Sequence, residues 1–448
     1  MGPMKILENV FKLKESGTTV RTEVIAGFTT FMTMAYIIFV NQAMISKTGM
    51  DMGSAMMATC ISAALATLLM GLYANYPIAL APGMGENAFF TYTVCITMGI
   101  SWQVALGCVF ITGIAFLILT VTKMRQALIE AIPPAIRYSI AAGIGMLVAF
   151  LGLMDAGLVV AHPATIVSLG RVASVPVMLC AIGLIVTVVM MAKKVRGAIM
   201  WGMLITAAVG VPLDVVNYGG LVSMPPSMAP TFMHMDVFGA LKMGLLTVMF
   251  VFLFMDVFDT VGTLAGVGEI GGFIKGGKFP RVGKAMISDA AGTCIGAALG
   301  TPTVTSYIES ASGIQAGGRT GLTNVVVAAL FFLSIFFSPL IKMIGGGYID
   351  KSTGALLHPV TAPALIVVGC MMIQPLLKID WKDITEALPA FLVIIMMPLT
   401  FSIASGVAVG FIAYAAVKLF TGNGRKVSWL VYLLALLFIL RFIYLQAK

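Results

Sequence analysis

Long apolar runs divided by short polar connections set the pattern of the chain. Seven lie at 24–45, 55–74, 77–98, 102–122, 135–154, 174–191 and 197–213. A polar connection over 214–238 follows, with Met224, Pro225 and Pro226 inside it. Seven more runs lie at 239–266, 284–299, 302–318, 321–344, 359–377, 384–403 and 405–421. A helix needs about 20 apolar residues to cross the hydrocarbon core of a bilayer. The pattern therefore predicts an all-α polytopic membrane protein with fourteen spans. Residues 22–213 form the first half and 239–421 the second. Residues 1–21 mix Ile6, Val10, Phe11 and Leu13 with Lys5, Lys12, Lys14 and Arg21, as an amphipathic segment on the cytoplasmic surface does. Within 422–448, a last apolar run at 428–446 is interrupted by Arg441 and reads as an interfacial helix or an extra span. The first apolar run is too long for a cleavable signal peptide.

Two of the fourteen runs are too polar, and too broken by Gly and Pro, for ordinary spanning helices. One is 299–321, which carries Pro302, Thr303, Thr305, Ser306, Tyr307 and, at its centre, Glu309. The other is Tyr76-Pro-Ile-Ala-Leu-Ala-Pro-Gly-Met-Gly-Glu-Asn-Ala-Phe-Phe90. They are the third run of the second half and the third run of the first. Irregular backbone at membrane depth is tolerated only where it is buried in protein or lines a cavity. Interrupted segments at matching positions of two halves point to a transporter site.

Charge fixes the expected orientation. With the N-terminus inside, 20 of the 27 Lys and Arg fall on cytoplasmic connections. Lys47, Arg171, Lys242, Lys342 and Lys351 fall outside, and Arg441 and Lys448 depend on the last segment, a bias that matches the positive-inside rule. An odd number of spans per half then makes the halves inverted repeats. The net charge of +9 is thus a topology signal and no sign of a nucleic-acid surface. The chain is 60% hydrophobic and 10% charged, against about 25% charged for soluble domains. Six scattered cysteines form no CxxC pair, and three distant histidines offer no ligand spacing. No metal and no cofactor is expected.

The candidate chemistry lies in a few polar residues inside apolar runs, where an ionisable group marks function. Asp256 and Asp259 are spaced i, i+3 and share one side of a helix. Two carboxylates so close in low dielectric should hold a proton between them near neutral pH, which suits a proton-coupled carrier. Glu309 stands in one broken segment, and Asn87 offers an amide donor and acceptor in the other. Glu86, beside Asn87, faces the far side of its segment or approaches a cytoplasmic gate. Asp289 either ties a broken segment by hydrogen bonds or touches a ligand. Thr303, Thr305 and Ser306 satisfy broken backbone or donate to substrate. Phe89, Phe90 and Tyr307 stack on a flat ring or fill core. Gly83, Gly85, Gly262, Gly300 and Gly313 permit close backbone approach.

Four ordered motifs resemble the nucleobase–cation symporters, in particular the azaguanine-type purine permeases for hypoxanthine, guanine and adenine. They are Gly27-Phe-Thr-Thr-Phe-Met-Thr-Met-Ala-Tyr36, Pro77-Ile-Ala-Leu-Ala-Pro-Gly-Met-Gly-Glu-Asn-Ala-Phe-Phe90, Met255-Asp-Val-Phe-Asp-Thr-Val-Gly-Thr-Leu264 and Tyr307-Ile-Glu-Ser-Ala-Ser-Gly313. The resemblance covers nearly the whole chain. It implies a uracil-permease-like fold, with fourteen spans in two inverted repeats of seven and short strands and half-helices in spans 3 and 10. A core domain of spans 1–4 and 8–11 would move against a gate domain of spans 5–7 and 12–14. It also implies a homodimer through the gate domain, a bacterial inner membrane and a cytoplasmic N-terminus. Substrate binding would fall on Glu309, Asp256, Asn87, Gly85, Thr305 and Tyr307. Proton coupling would fall on Asp259, Asp256 and Glu309, with Asp289 and Glu86 in support. Glu86 is a departure, since relatives carry an apolar Leu before that Asn. The expected activity is proton-driven import of a purine, with the Ala81-Pro-Gly-Met-Gly85 motif favouring guanine and hypoxanthine over adenine. The alternatives are an anion or other small-solute carrier on the same fold, which acids at the site disfavour, and a membrane-embedded aspartyl hydrolase. The latter needs facing Asp residues on separate helices, with a Gly-x-Gly-Asp context that is absent here.

Overall fold

The computed structural model describes residues 3–122, 133–274, 279–350 and 353–445. Lys123, Arg125, Lys275, Lys278, Lys351 and Lys448, which enter the charge pattern above, lie outside the described residues. The chain divides into two compact units, each drawn from both halves of the sequence. One comprises Met1–Val121 and Gly152–Ala364, the other Thr122–Leu151 and Leu365–Lys448.

Helices dominate both units. Eight among the described residues are long and apolar enough to cross a membrane: Val20–Thr48, Met52–Ala74, Trp102–Val121, Pro134–Asp155, Val175–Ala192, Leu246–Ile270, Leu322–Gly345 and Ile403–Phe420. Their ends carry local signals. Asp51 caps Met52–Leu69 by accepting from the Ser54 N–H, and Ser402 caps Ile403–Phe420 by accepting from the Ser405 N–H. Three two-stranded antiparallel sheets interrupt the helices. Strands β1 (Leu80–Pro82) and β4 (Val304–Ser306) pair across the two broken segments. Strands β2 (Val159–His162) with β3 (Ile166–Leu169), and β5 (Tyr348–Ile349) with β6 (Leu356–Leu357), form surface hairpins that the apolar pattern does not foretell.

In the first unit, Val282–Leu299 packs against Trp102–Val121 and Met52–Leu69, while Leu322–Ser334 packs against Val20–Met34. Small residues set these distances. A Cβ on Gly313 would stand 2.0 Å from the Thr30 hydroxyl and 2.7 Å from the Ala26 carbonyl, so only glycine lets the half-helix Ser310–Gln315 approach Val20–Met34.

A buried carboxylate holds the same helices together. Glu23 is fully buried on Val20–Met34. Its Oε1 accepts from the Arg319 N–H at 2.8 Å. Its Oε2 accepts from the N–H groups of Thr320 and Thr323 at 3.3 and 3.2 Å, and from the Thr323 hydroxyl at 2.6 Å. The Thr323 N–H is one of the orphan donors at the start of Leu322–Ser334, the Arg319 and Thr320 N–H groups lie just before it, and a negative charge is favoured there. Glu23→Ala would leave them buried without an acceptor. We expect a loss of about 3 kcal/mol, read as a lower melting temperature of the detergent-solubilised protein. An unchanged melting temperature would deny Glu23 this role.

In the second unit, Ile384–Thr400 and Ile403–Phe420 pack on each other, and Trp429–Leu445 lies along the latter. Lys418, 8% exposed, anchors the pair with its Nζ at 2.6 Å from both Glu386 Oε1 and Thr385 Oγ1.

Candidate functional site

The two broken segments meet at β1 and β4, where Leu80 lies opposite Ser306, Ala81 opposite Thr305, and Pro82 opposite Val304. Each segment is an extended piece followed by a short helix, because Pro and Gly end the regular hydrogen-bond ladder. The freed backbone groups are satisfied locally. The Gly83 N–H donates to the Thr303 carbonyl at 2.9 Å, and the Tyr307 N–H to the Ala79 carbonyl at 3.0 Å. The Thr67 hydroxyl bonds both the N–H and the carbonyl of Leu80 at 2.9 Å, and the Tyr307 hydroxyl donates to the Pro82 carbonyl at 2.6 Å. The crossing is therefore a braced platform of polar backbone inside an apolar protein.

Five carboxyl groups surround it. On Leu246–Ile270, Asp256 is fully buried while Asp259 is exposed. A Cβ on Gly262 would meet no atom within 4 Å, and one on Gly266 only the end of Ile308, at 3.4 Å. Asp259, Gly262 and Gly266 follow one helical face, so that face borders open space, with Ile308 and the half-buried Glu309 nearby. Glu309 begins the half-helix Ser310–Gln315, and its Oε1 accepts from the Tyr36 hydroxyl at 2.7 Å. Asp259 and Glu309 are close enough to feel each other's charge. Asp289 is fully buried and tied on both oxygens, to the Ser306 hydroxyl at 2.6 Å and the Thr260 hydroxyl at 2.7 Å. Asp256 Oδ2 accepts from the Thr293 hydroxyl at 3.0 Å, whereas among the described residues its Oδ1 has no partner. Glu86 is 2% exposed, its carboxylate folded back over Gly83, within electrostatic reach of Asp259 and Asp289. Among the described residues none of the five forms a salt bridge. Clustered carboxylates with no basic side chain beside them favour shared protons, a bound cation or a donor-rich ligand.

A family model described as "Permease family" matches residues 21–409. The adenine permease AdeP of Escherichia coli (strain K12) is 44% identical over 443 residues, 99% of this chain and 97% of AdeP. The guanine/hypoxanthine permease PbuG of Bacillus subtilis (strain 168) is 42% identical over 455 residues, 98% of this chain and 100% of PbuG. The chain belongs to this family of nucleobase permeases. The permease is thus an integral membrane transporter and not an enzyme. Its fold is also that of the transmembrane domain of a cyanobacterium bicarbonate transporter, BicA. That structure superposes with a TM-score of 0.64 at 15% identity, covering 86% of this chain and 97% of that one.

The permease gathers its five carboxyl groups around the one crossing, but in unequal exposure, while Gly300 packs against Thr231 and Gly313 against Thr30. Asp259 and Glu309 reach open space. Asn87 is fully buried, and among the described residues neither amide atom has a partner. Gly85 and Thr305 are buried, with the Thr305 hydroxyl 3.1 Å from that of Thr260. Tyr307 is 6% exposed and spends its hydroxyl on Pro82. Phe89 and Phe90 are core, with Phe89 edge-on to Phe252 at 4.8 Å. Glu86, read from the sequence as facing away or toward a gate, turns inward to the other acids. Two residues went unrecognised. Tyr36 closes the Thr-rich motif 27–36, at the break between Val20–Met34 and Tyr36–Ile45, and that break was its signal. Thr260, the residue directly after Asp259, holds Asp289.

Proposed function

We propose that the permease is a proton-coupled purine nucleobase importer, taking guanine and hypoxanthine ahead of adenine. The observation that carries this reading is the placement of Asp259 on an open helix face with the half-buried Glu309 within electrostatic reach, at the β1–β4 crossing. A purine presents N–H donors on its edge and two apolar faces. Carboxylates accept from the former, and apolar side chains such as Ile308 cover the latter. Asp259 and Glu309 hold the base, and Tyr36 fixes Glu309 in position. Asn87, Gly85, Thr305 and Tyr307 complete the wall. Asp256, buried with one oxygen unpaired, carries the coupling proton, and Asp289 and Glu86 support the acid cluster. Binding of proton and base at adjacent groups is the thermodynamic basis of symport. AdeP and PbuG, whose names state purine substrates, support the cargo. An anion would meet carboxylates where it needs positive charge.

In this reading fourteen segments form two inverted repeats of seven. A core of spans 1–4 and 8–11 alternates access against a gate of spans 5–7 and 12–14. The protein works as a homodimer in a bacterial inner membrane, with the N-terminus in the cytoplasm. The test is accumulation of radiolabelled hypoxanthine in cells that lack their own purine carriers, with unlabelled bases as competitors. A protonophore should reduce accumulation to the equilibrium level. Uphill uptake that survives the protonophore and follows sodium would replace the proton, and absence of any saturable purine uptake would sink the assignment.

A further inference from the structure

A second polar cluster lies apart from the purine site. Lys47, just beyond Tyr36–Ile45, donates from Nζ to both carboxylate oxygens of Asp155, at 2.7 and 2.9 Å, and to the Tyr92 hydroxyl at 2.9 Å. The Lys47 and Asp155 side chains are only 18% and 14% exposed. The Asp155 carbonyl accepts from the His358 N–H at 2.8 Å. The His358 ring is 4% exposed and close enough to feel the charges of Asp155 and Lys47. Its ring nitrogens make no well-formed hydrogen bond among the described residues, and the backbone carbonyls of Gly345 and Gly346 lie within reach of them. Lys47 is also one of the five basic residues that the charge pattern leaves on the extracytoplasmic side.

A largely buried ion pair is a poor permanent joint, because desolvation offsets most of its attraction and apolar contacts would serve as well. It suits a contact that opens and re-forms, since both groups hydrate on parting and no apolar surface is laid bare. The buried imidazole, already within electrostatic reach of Asp155, supplies the other arrangement by turning from the Gly345 and Gly346 carbonyls to the Asp155 carboxylate once Lys47 withdraws. Switching elements of this kind have two discrete packings.

We infer that the Lys47–Asp155 pair is an outer latch. It ties the segments bearing Tyr36 and Asn87, through Lys47 and Tyr92, to the end of the Pro134–Asp155 helix while the purine site faces the cytoplasm. It parts when the site turns outward, and Asp155 passes to His358. The inference rests on the core-and-gate reading above, in which the spans next to Lys47 and Tyr92 belong to the core and those next to Asp155 and His358 to the gate, while all four residues lie in the first compact unit of this structure.

Site access from outside tests it without substrate. A cysteine at Ile308, which is 44% exposed beside Glu309, is labelled with a membrane-impermeant maleimide in right-side-out vesicles. The signal is the increment over the same chain without I308C. Lys47→Met and Asp155→Asn should each raise the labelling rate by about threefold or more, as a shift of population toward the open form requires. The exchange Lys47→Asp with Asp155→Lys should return it toward the parent value. Lys47→Arg, which keeps the charge, should label as the parent does. Unchanged labelling in both single variants overturns the latch. So does a rise that the exchange fails to reverse in protein that elutes as a folded species, or a Lys47→Arg rate equal to that of Lys47→Met. A chain that moved no purine would refute the proposed cargo and leave this measurement intact.

Discussion

Glu309→Gln should lower concentrative purine uptake by about a hundredfold or more while the protein still folds and inserts. The carboxylate stands at the start of a half-helix with one oxygen on the Tyr36 hydroxyl and its surface partly open. A hydrogen bond to a charged acceptor contributes about 1.5–3 kcal/mol, against about 0.5–1.5 for a neutral one. Glutamine keeps the volume and can still accept from Tyr36, so packing survives. It presents one carbonyl and an amide that repels a purine N–H, and it binds no proton. Affinity and coupling are then lost together. Tyr36→Phe separates positioning from contact. It retains the carboxylate but frees its orientation, and the KM should rise by about tenfold with little change in kcat. Initial rates of hypoxanthine uptake, normalised to protein in the membrane, decide both. Rates for Glu309→Gln within about twofold of the parent would remove Glu309 from the site.

The broken segments were legible because Pro302, Gly300, Pro82 and Gly83 interrupt runs that are otherwise long enough to span, and few sequence signals at membrane depth are as strong. Their partnership was legible from position alone. The register that sets Ala81 against Thr305 was not, because three-residue strands carry no periodicity to read. Long-range contacts explain the rest. Glu23 looks like one acid at the edge of the first apolar run, and only the chain's return 296 residues later brings Arg319 to it. Tyr36 likewise meets Glu309 across 273 residues. The hairpins β2–β3 and β5–β6 lie in connections whose short polar stretches match several loop types. Glu86 shows another limit. The side chain following a helix start can turn outward or fold back over its own first turn, and the acids that keep it inside come from other helices.

The pair Asp256 and Asp259 should fail in different ways. Residues i and i+3 of a helix differ by about 60° in direction, which is enough for one to face a neighbouring helix while the other faces a cleft. Here Asp256 turns to Thr293 on Val282–Leu299, and Asp259 turns to the open side with Gly262. The sequence reading gave Asp256 to the substrate as well as to the proton, and gave Asp259 to the proton alone. Burial favours the reverse order. Asp259→Asn should weaken purine binding by about thirtyfold or more, in equilibrium binding and in every transport mode alike, because a charged acceptor at the ligand is lost. Asp256→Asn should bind and exchange purine within about threefold of the parent, since a buried amide imitates the protonated acid. It should nevertheless fail to accumulate purine against a gradient, because a group that is always neutral cannot exchange the proton that drives the cycle. Counterflow in proteoliposomes with no pH gradient, set against accumulation with one, distinguishes the two. If Asp256→Asn still concentrates purine, the coupling proton resides elsewhere in the acid cluster. If it has lost binding instead, the buried oxygen of Asp256 becomes accessible to the base during the cycle, and the two acids act on the substrate together.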